Sequence, residues 1–352
     1  MENISSKLIS WYHKNKRDLP WRNTTDPYKI WLSEIILQQT RVAQGLPYYL
    51  KFTEKYPTVE DLAQASEQEV LRLWQGLGYY SRARNMHAAA KYIVAQLNGK
   101  FPEKFSEIKK LKGVGDYTAA AIASFAFKEK VAVVDGNVYR VLARLFGIDK
   151  DINSNDGKKE FAKAAALLIP EDEPDTYNQA IMEFGALHCT PANPNCLFCP
   201  FTQTCVARLT QKQDKLPVKI KKLKTKKRFF HYIVVEHQDQ LLMKERPAGD
   251  IWQGLFDFPI IEATEALTDG SVIDQIQAEH IKEFEVKSIS KEFKHILTHQ
   301  HIFAKFFLIK PQKEDQLKSF VAQYGANFFD EEKVEEIPKP VLVSKYLKEY
   351  IF

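Results

Sequence analysis

Leu111-Lys-Gly-Val-Gly-Asp-Tyr-Thr-Ala119 sets two glycines one residue apart, just ahead of an alanine-rich run. Glycine takes positive φ without a side-chain penalty and lets another molecule approach the backbone closely. Gly113 and Gly115 can therefore both adopt positive φ in a sharp turn between helices. Ala119 to Ala123 favours helix behind that turn. The first N–H groups of such a helix lack partners inside it and favour a phosphate. A lone Gly-x-Gly also serves any tight interhelical turn, so the surroundings must decide.

Downstream lies Val131-Ala-Val-Val-Asp-Gly-Asn137, leading into a helical run from Val138 to Leu145. Asp135 stands where a helix N-cap belongs, and a helix N-terminus keeps a carboxylate ionised. Upstream, Glu34 interrupts the apolar stretch Trp31-Leu-Ser-Glu-Ile-Ile-Leu-Gln-Gln-Thr40. Helical spacing puts Glu34, Gln38 and Arg41 on one face. A glutamate ringed by apolar residues has a raised pKa and can act as a general acid. The bland alternative is an exposed or salt-bridged side chain.

All four cysteines fall within seventeen residues, Cys189, Cys196, Cys199 and Cys205, as C-x6-C-x2-C-x5-C. Four clustered thiols bind zinc or an iron–sulfur cluster, and the spacing does not choose between them. A disulfide pair is the third option. No apolar run approaches the roughly 18 residues that span a bilayer, and Met1 to Trp11 has neither export nor transit character. A soluble, cytoplasmic protein with no membrane partner is expected.

The 352 residues suggest two domains. Residues 1–206 read as helical, from apolar residues at three- and four-residue steps. Arg208 to Arg228 carries ten Lys or Arg against one Asp, leaving −4 on the rest of a chain of net charge +5. Residues 207–228 are expected to be a basic linker, either a solvated tether or a phosphate-neutralising stretch. Residues 229–352 read as a smaller α/β domain. Its strands are expected at Phe229 to Val235, Gln240 to Met243 and Phe303 to Ile309, and its helices near Asp274 to Glu283 and Asp315 to Tyr324.

The hairpin, the V-D-G-N-V run and the cysteine cluster, in that order, resemble the helix–hairpin–helix DNA glycosylases of the endonuclease III superfamily. Leu19-Pro-Trp-Arg22, Trp31 to Thr40 and Leu73-Trp-Gln-Gly-Leu-Gly-Tyr-Tyr-Ser-Arg-Ala-Arg84 are similar to the MutY-type adenine DNA glycosylases. The resemblance implies an all-α catalytic domain with a [4Fe–4S] cluster on the four cysteines, followed by a Nudix-like domain. It implies a monomer acting on double-stranded DNA, excising adenine opposite 8-oxoguanine or guanine after base flipping. Glu34 matches the residue that protonates adenine at N7, Asp135 the one that stabilises the cationic sugar, and Asn137 their polar neighbour. Trp21, Arg22, Leu37 and Gln179 match the walls of the adenine pocket. Gln39, Leu77 and Tyr79 match residues that enter the duplex, and Thr40 closes the matching Gln-Gln-Thr motif. Lyase-competent relatives carry a nucleophilic lysine where this chain has Tyr117, which implies a monofunctional glycosylase.

In the second half, Met243 to Pro259 resembles the C-terminal domain of that family. The R-E-x-x-E-E magnesium motif of working Nudix hydrolases is not in the sequence. The family's F-S-H lesion contact matches Leu297-Thr298-His299, which assigns Thr298 and His299 to 8-oxoguanine. Phe293-Lys294-His295 is the other possible alignment. A pyrimidine glycosylase/lyase and a non-catalytic DNA-binding protein are the competing readings. Tyr117 argues against the first, and paired Glu34 and Asp135 against the second.

Overall fold

The computed structural model describes residues 4–220 and 225–352. Two compact units emerge. One comprises residues 1–64 and 85–221, the other 65–84 and 222–352.

The first unit is helical. Its centre is the helix Pro27–Leu37, capped by Asp26, whose side chain accepts the Tyr28 N–H at 2.9 Å. Residues 30 to 36 of this helix are all buried. A helix that is apolar nearly all round belongs inside a core, and its one carboxylate, Glu34, is carried inside with it. The alanine-rich helix Asp116–Phe127 packs against it, its small side chains allowing close approach. The helix Gly136–Phe146 lies against Pro174–Leu187 in a core that includes Val141, Leu142, Ile181 and Phe184. Asn178, fully buried, ties the incoming segment to these helices. It accepts from Val133 N at 3.1 Å and donates to Val131 O and Ser124 Oγ, each at 2.9 Å.

Three local expectations change. The helix ends at Leu37, with Gln38 as its C-cap and Arg41 capping the next helix, Val42–Lys55. Glu34, Gln38 and Arg41 therefore do not share a helical face. Gly113 has φ +80°, but Gly115 has φ −94° and is an extended N-cap. Only the first glycine needs the left-handed region. The stretch expected to open the linker is structured in part: Val206–Leu209 is helical, Leu216 is in the core, and Arg144 Nε donates to Gln213 O at 2.9 Å. Lys221, Lys222 and Lys224 lie outside the described residues.

The second unit is built on a mixed sheet. Its strands are β1 (Lys226–His237), β2 (Gln240–Glu245), β3 (Phe256–Asp257), β4 (Ile260–Ala263), β5 (Phe284–Ile289), β6 (Phe293–Ile296), β7 (Gln300–Pro311) and β8 (Asn327–Phe329). The order is β3-β2-β1-β7-β5, with β4, β6 and β8 added on β1, β7 and β2. β1 and β7 run parallel, with Phe229 opposite Phe303; the other pairs are antiparallel. Gln238 and Asp239, both at positive φ, make the two-residue turn that matches strand twist. One face, including Ile233, Val235 and Phe307, packs on the helices Asp269–Glu279 and Glu314–Tyr324. The first of these starts five residues earlier than Asp274, because Thr268 caps it by accepting from Ser271 N at 3.2 Å. The other face stacks Phe306 on Tyr346 of the helix Val341–Tyr350, ring centroids 4.0 Å apart. Residues 65–84 also belong to this unit. They begin with the helix Glu67–Trp74, closed by a Ser66/Glu69 capping box.

Candidate active site

A cavity of about 440 Å³ in the first unit is lined by Glu34, Asp135, Asn137, Tyr117, Trp21, Arg22, Leu37, Thr40 and Gln179. Nine sequence-predicted positions thus meet at one site. Glu34 is 6% exposed. Burial pushes its carboxyl up to about 7, a hydrogen bond from the Tyr117 hydroxyl pulls it down, and the Asp135 charge raises it. Tyr117, for its part, is raised well above the ordinary phenol value by burial and by Glu34.

Asp135 caps the helix Gly136–Phe146. Its Oδ1 accepts from Asn137 N and Val138 N, both at 2.8 Å, and its Oδ2 from Asn137 Nδ2 at 2.7 Å. Burial nevertheless raises its pKa, and these bonds only partly offset the shift. The cap was expected to keep this carboxylate ionised; desolvation opposes it. Arg140 continues the chain of contacts, donating to Asn137 Oδ1 at 2.8 Å, Gly185 O at 2.5 Å and Cys189 O at 2.7 Å.

The sequence reading missed a second buried glutamate on the wall. Glu183, 1% exposed, takes paired bonds from Arg17 and Arg22 at 2.5 to 2.9 Å. Burial alone would raise its pKa, but the two guanidiniums hold it down at about 2. Arg22 is thereby fixed at the pocket rim. Its signal, a glutamate inside an apolar helical run, is the same as that of Glu34.

Other expected contacts lie elsewhere. Gln39 is exposed at φ +56° and does not line the cavity. In the second unit, Tyr79 is 45% exposed at φ +48°. Its hydroxyl shares a hydrogen bond with Thr298 Oγ1, in the exposed β6–β7 turn that also carries His299. Leu77 is 7% exposed, so it does not project as a wedge. His295, the alternative lesion contact, packs its ring on Trp252 at 5.5 Å.

The four cysteines line one small cavity. Among the described residues, no three His, Cys, Asp or Glu side chains converge on a single-ion position. Sulfur already has donors there: Phe201 N to Cys199 Sγ and Arg144 Nη1 to Cys189 Sγ, both at 3.4 Å. Burial pushes the Cys199 thiol up to about 11 and raises Cys205. Bare thiolates are costly in this setting, so the donor set fits a group that brings positive charge.

Residues 32–170 match the HhH-GPD superfamily of base excision DNA repair proteins, and residues 231–349 match the NUDIX domain. An adenine DNA glycosylase of Buchnera aphidicola (strain Bp) is 36% identical, across 84% of this chain and 83% of its own. The Homo sapiens adenine DNA glycosylase is 44% identical, across 59% of this chain and 40% of its own. A thermostable thymine-DNA glycosylase structure superposes with TM-score 0.55 at 32% identity, covering 58% of this chain and 95% of that one. An endonuclease III–DNA complex, at 23% identity and TM-score 0.52, shares the fold over 59% of this chain and 95% of that one. Fold and site together define a helix–hairpin–helix base excision protein with an appended NUDIX domain. The chain belongs to the adenine DNA glycosylase family.

Proposed function

We propose that this chain removes adenine mispaired with 8-oxoguanine or guanine in duplex DNA, and leaves an abasic site. The observation that carries the reading is the pair of unlike carboxyl groups on one cavity. Glu34, held near 7, can be protonated at neutral pH, while Asp135 sits at a helix N-terminus with three donors on it. Adenine leaves poorly as an anion. A proton from Glu34 to N7 lets the C1′–N9 bond break with its electron pair going to the base. Asp135 then faces the cationic sugar until water adds to C1′ and gives up a proton to the Glu34 carboxylate, which restores the acid. Trp21, Leu37, Thr40 and Gln179 form the pocket walls, Arg22 is clamped by Glu183, and Asn137 orients Asp135.

Tyr117 offers no amine to attack C1′, so no Schiff base forms and the strand is not cut. Its hydroxyl serves the acid instead. The DNA backbone is read as meeting the Gly113–Gly115 turn and the first N–H groups of Asp116–Phe127. Gly115 supports this: a Cβ there would meet no heavy atom within 4 Å other than those of its chain neighbours. Exposed Gln39 and Tyr79 suit contact with the opened base pair; Leu77 would have to leave its buried position to do so. Thr298 and His299 are assigned to the oxidised guanine.

Cys189, Cys196, Cys199 and Cys205 would hold a [4Fe–4S] cluster, which when bound ties four loop positions together. A visible charge-transfer band in purified protein supports iron–sulfur over zinc; a colourless, zinc-loaded protein would remove that assignment.

The deciding experiment uses labelled duplexes with adenine opposite 8-oxoguanine and, separately, thymine glycol. Each is run with and without hot alkali. Cleavage at adenine only after alkali is expected. Nicking without alkali would overturn the monofunctional reading, and tight binding with no excision would favour a pure DNA-binding protein.

A further inference from the structure

The second unit has a groove of about 410 Å³ that the excision chemistry does not use. It is lined from the helix Glu67–Trp74, from the loop before the last helix, and from that helix, Val341–Tyr350. Arg72 and Lys348 reach into its lining, each from the last turn of its own helix and each exposed. Cations suit helix C-termini, which accounts for their sign but not for their placement on one groove. Neither forms an ion pair among the described residues.

Beneath them Lys339 is 5% exposed. Its ammonium donates to the carbonyls of Val334, Glu335 and Ile337 at the end of the helix Glu331–Glu336. Burial, then the nearby Arg72 charge, lowers its pKa to about 8. Among the lining side chains Glu335 is the carboxylate, beside the three cationic side chains of Arg72, Lys339 and Lys348. Gln75 is pinned at both ends, accepting from Lys339 N at 3.1 Å and donating to Ser344 Oγ at 3.2 Å. The exposed ring of Phe352 adds an aromatic wall. An excess of cationic over anionic side chains on one groove lining favours a bound anion. Two exposed cations on the lining of one groove, beside fixed polar groups and an aromatic ring, suit a phosphate carried on a planar, partly apolar body.

We propose that this groove binds a phosphate-bearing ligand of about nucleotide size through Arg72 and Lys348, separate from the adenine pocket. A free nucleotide and a nucleotide unit of a DNA strand share that chemistry.

The full chain is titrated by calorimetry with thymidine monophosphate, inorganic pyrophosphate and, as control, thymidine. Saturable binding of both phosphates, and none of thymidine, is expected. Arg72→Gln and Lys348→Gln should each weaken binding about tenfold or more, as loss of a charge-assisted contact does. Glu335→Gln should tighten it, and Lys318→Gln, on an exposed helical site, should leave it unchanged. The altered side chains at 72, 348, 335 and 318 are all exposed, and unchanged melting midpoints establish that the variants fold. Saturating lesion-free duplex is then added. Displacement of the nucleotide marks DNA as the source of the phosphate; undisturbed binding marks a free nucleotide. No saturable binding below about 10 mM, or equal losses in Lys318→Gln and Arg72→Gln, would overturn the site.

Discussion

Glu34 and Glu183 show how far neighbours divide one residue type. Both are buried in apolar helices, yet one stands near 7 and the other near 2. Glu183 has hydrogen bonds from two guanidiniums; Glu34 has burial, one hydroxyl, a nearby carboxylate and only the more distant charge of Arg22. The consequence for catalysis is a pH limb. An acid must carry its proton, so single-turnover excision should be fastest below about 7 and fall roughly tenfold per unit above it. Tyr117→Phe removes the donor that lowers Glu34, so the limb should move to higher pH; an unmoved limb would detach Tyr117 from the acid. Stability follows the same group. Its carboxyl rises from 4.5 unfolded to about 7 folded, so the folded state holds the extra proton between those values. The contribution is full below about 4.5 and is lost as pH rises to about 7, roughly 3 kcal/mol in all. Glu34→Gln should therefore melt higher than wild type at pH 8, with the gain fading at pH 5, while excising nothing. Glu34 was legible because a lone carboxylate broke an apolar helix. The role of Glu183 was not, because Arg17 and Arg22 lie more than 160 residues away in sequence.

Among the elements, Asp135 caps a helix and is proposed to face the cationic sugar, two roles that substitution can separate. Asparagine keeps an oxygen for Asn137 N and Val138 N but loses the charge, whereas alanine loses both. Asp135→Ala should cost about 1–2 kcal/mol in stability, Asp135→Asn less, because it keeps the cap oxygen while setting its amide nitrogen against the Asn137 Nδ2 donor, and both should abolish excision. Near-normal turnover by the asparagine variant would reduce Asp135 to a cap. The two hairpin glycines separate in the same way. Gly113 sits at φ +80°, and a Cβ there would lie 2.7 Å from Asn85 Cβ. Gly113→Ala should cost about 1–3 kcal/mol in denaturant unfolding. Gly115→Ala should leave stability intact and weaken duplex affinity at fixed salt. Unchanged affinity would mean that no backbone approaches Gly115. Period and capping residues made the existence of these helices legible; their ends were harder. The helix stopping at Leu37 and the extended Gly115 depend on packing between segments, which a local pattern does not carry.

At the scale of the molecule, the sequence divided the chain at its basic stretch, while the compact units divide it at three places, after residues 64, 84 and 221. Residues 65–84 cluster with the sheet-bearing unit, through contacts such as Arg84 Nη1 to Gln253 O at 2.7 Å. No local texture marks that exchange, because the partners lie more than 160 residues apart. On the proposed reading of Thr298 it bears on lesion recognition, since it brings Tyr79 to Thr298. A tyrosine at φ +48° is a strained conformation, and such strain persists where surrounding structure enforces it. The hydrogen bond to Thr298 is one such restraint, and it fixes the hydroxyl pair before any DNA arrives. Preorganised groups discriminate because a ligand lacking the matching atoms leaves them unsatisfied. Thr298→Ala with His299→Ala should therefore lower the preference for adenine opposite 8-oxoguanine over adenine opposite guanine, by roughly tenfold if one hydrogen bond is lost. Tyr79→Phe should produce part of the same loss by freeing Thr298. The ratio of single-turnover rates on the two duplexes is the measurement, because a general loss of DNA affinity lowers both rates and leaves their ratio alone. A ratio unchanged in the double variant would move oxidised-guanine recognition away from the β6–β7 turn.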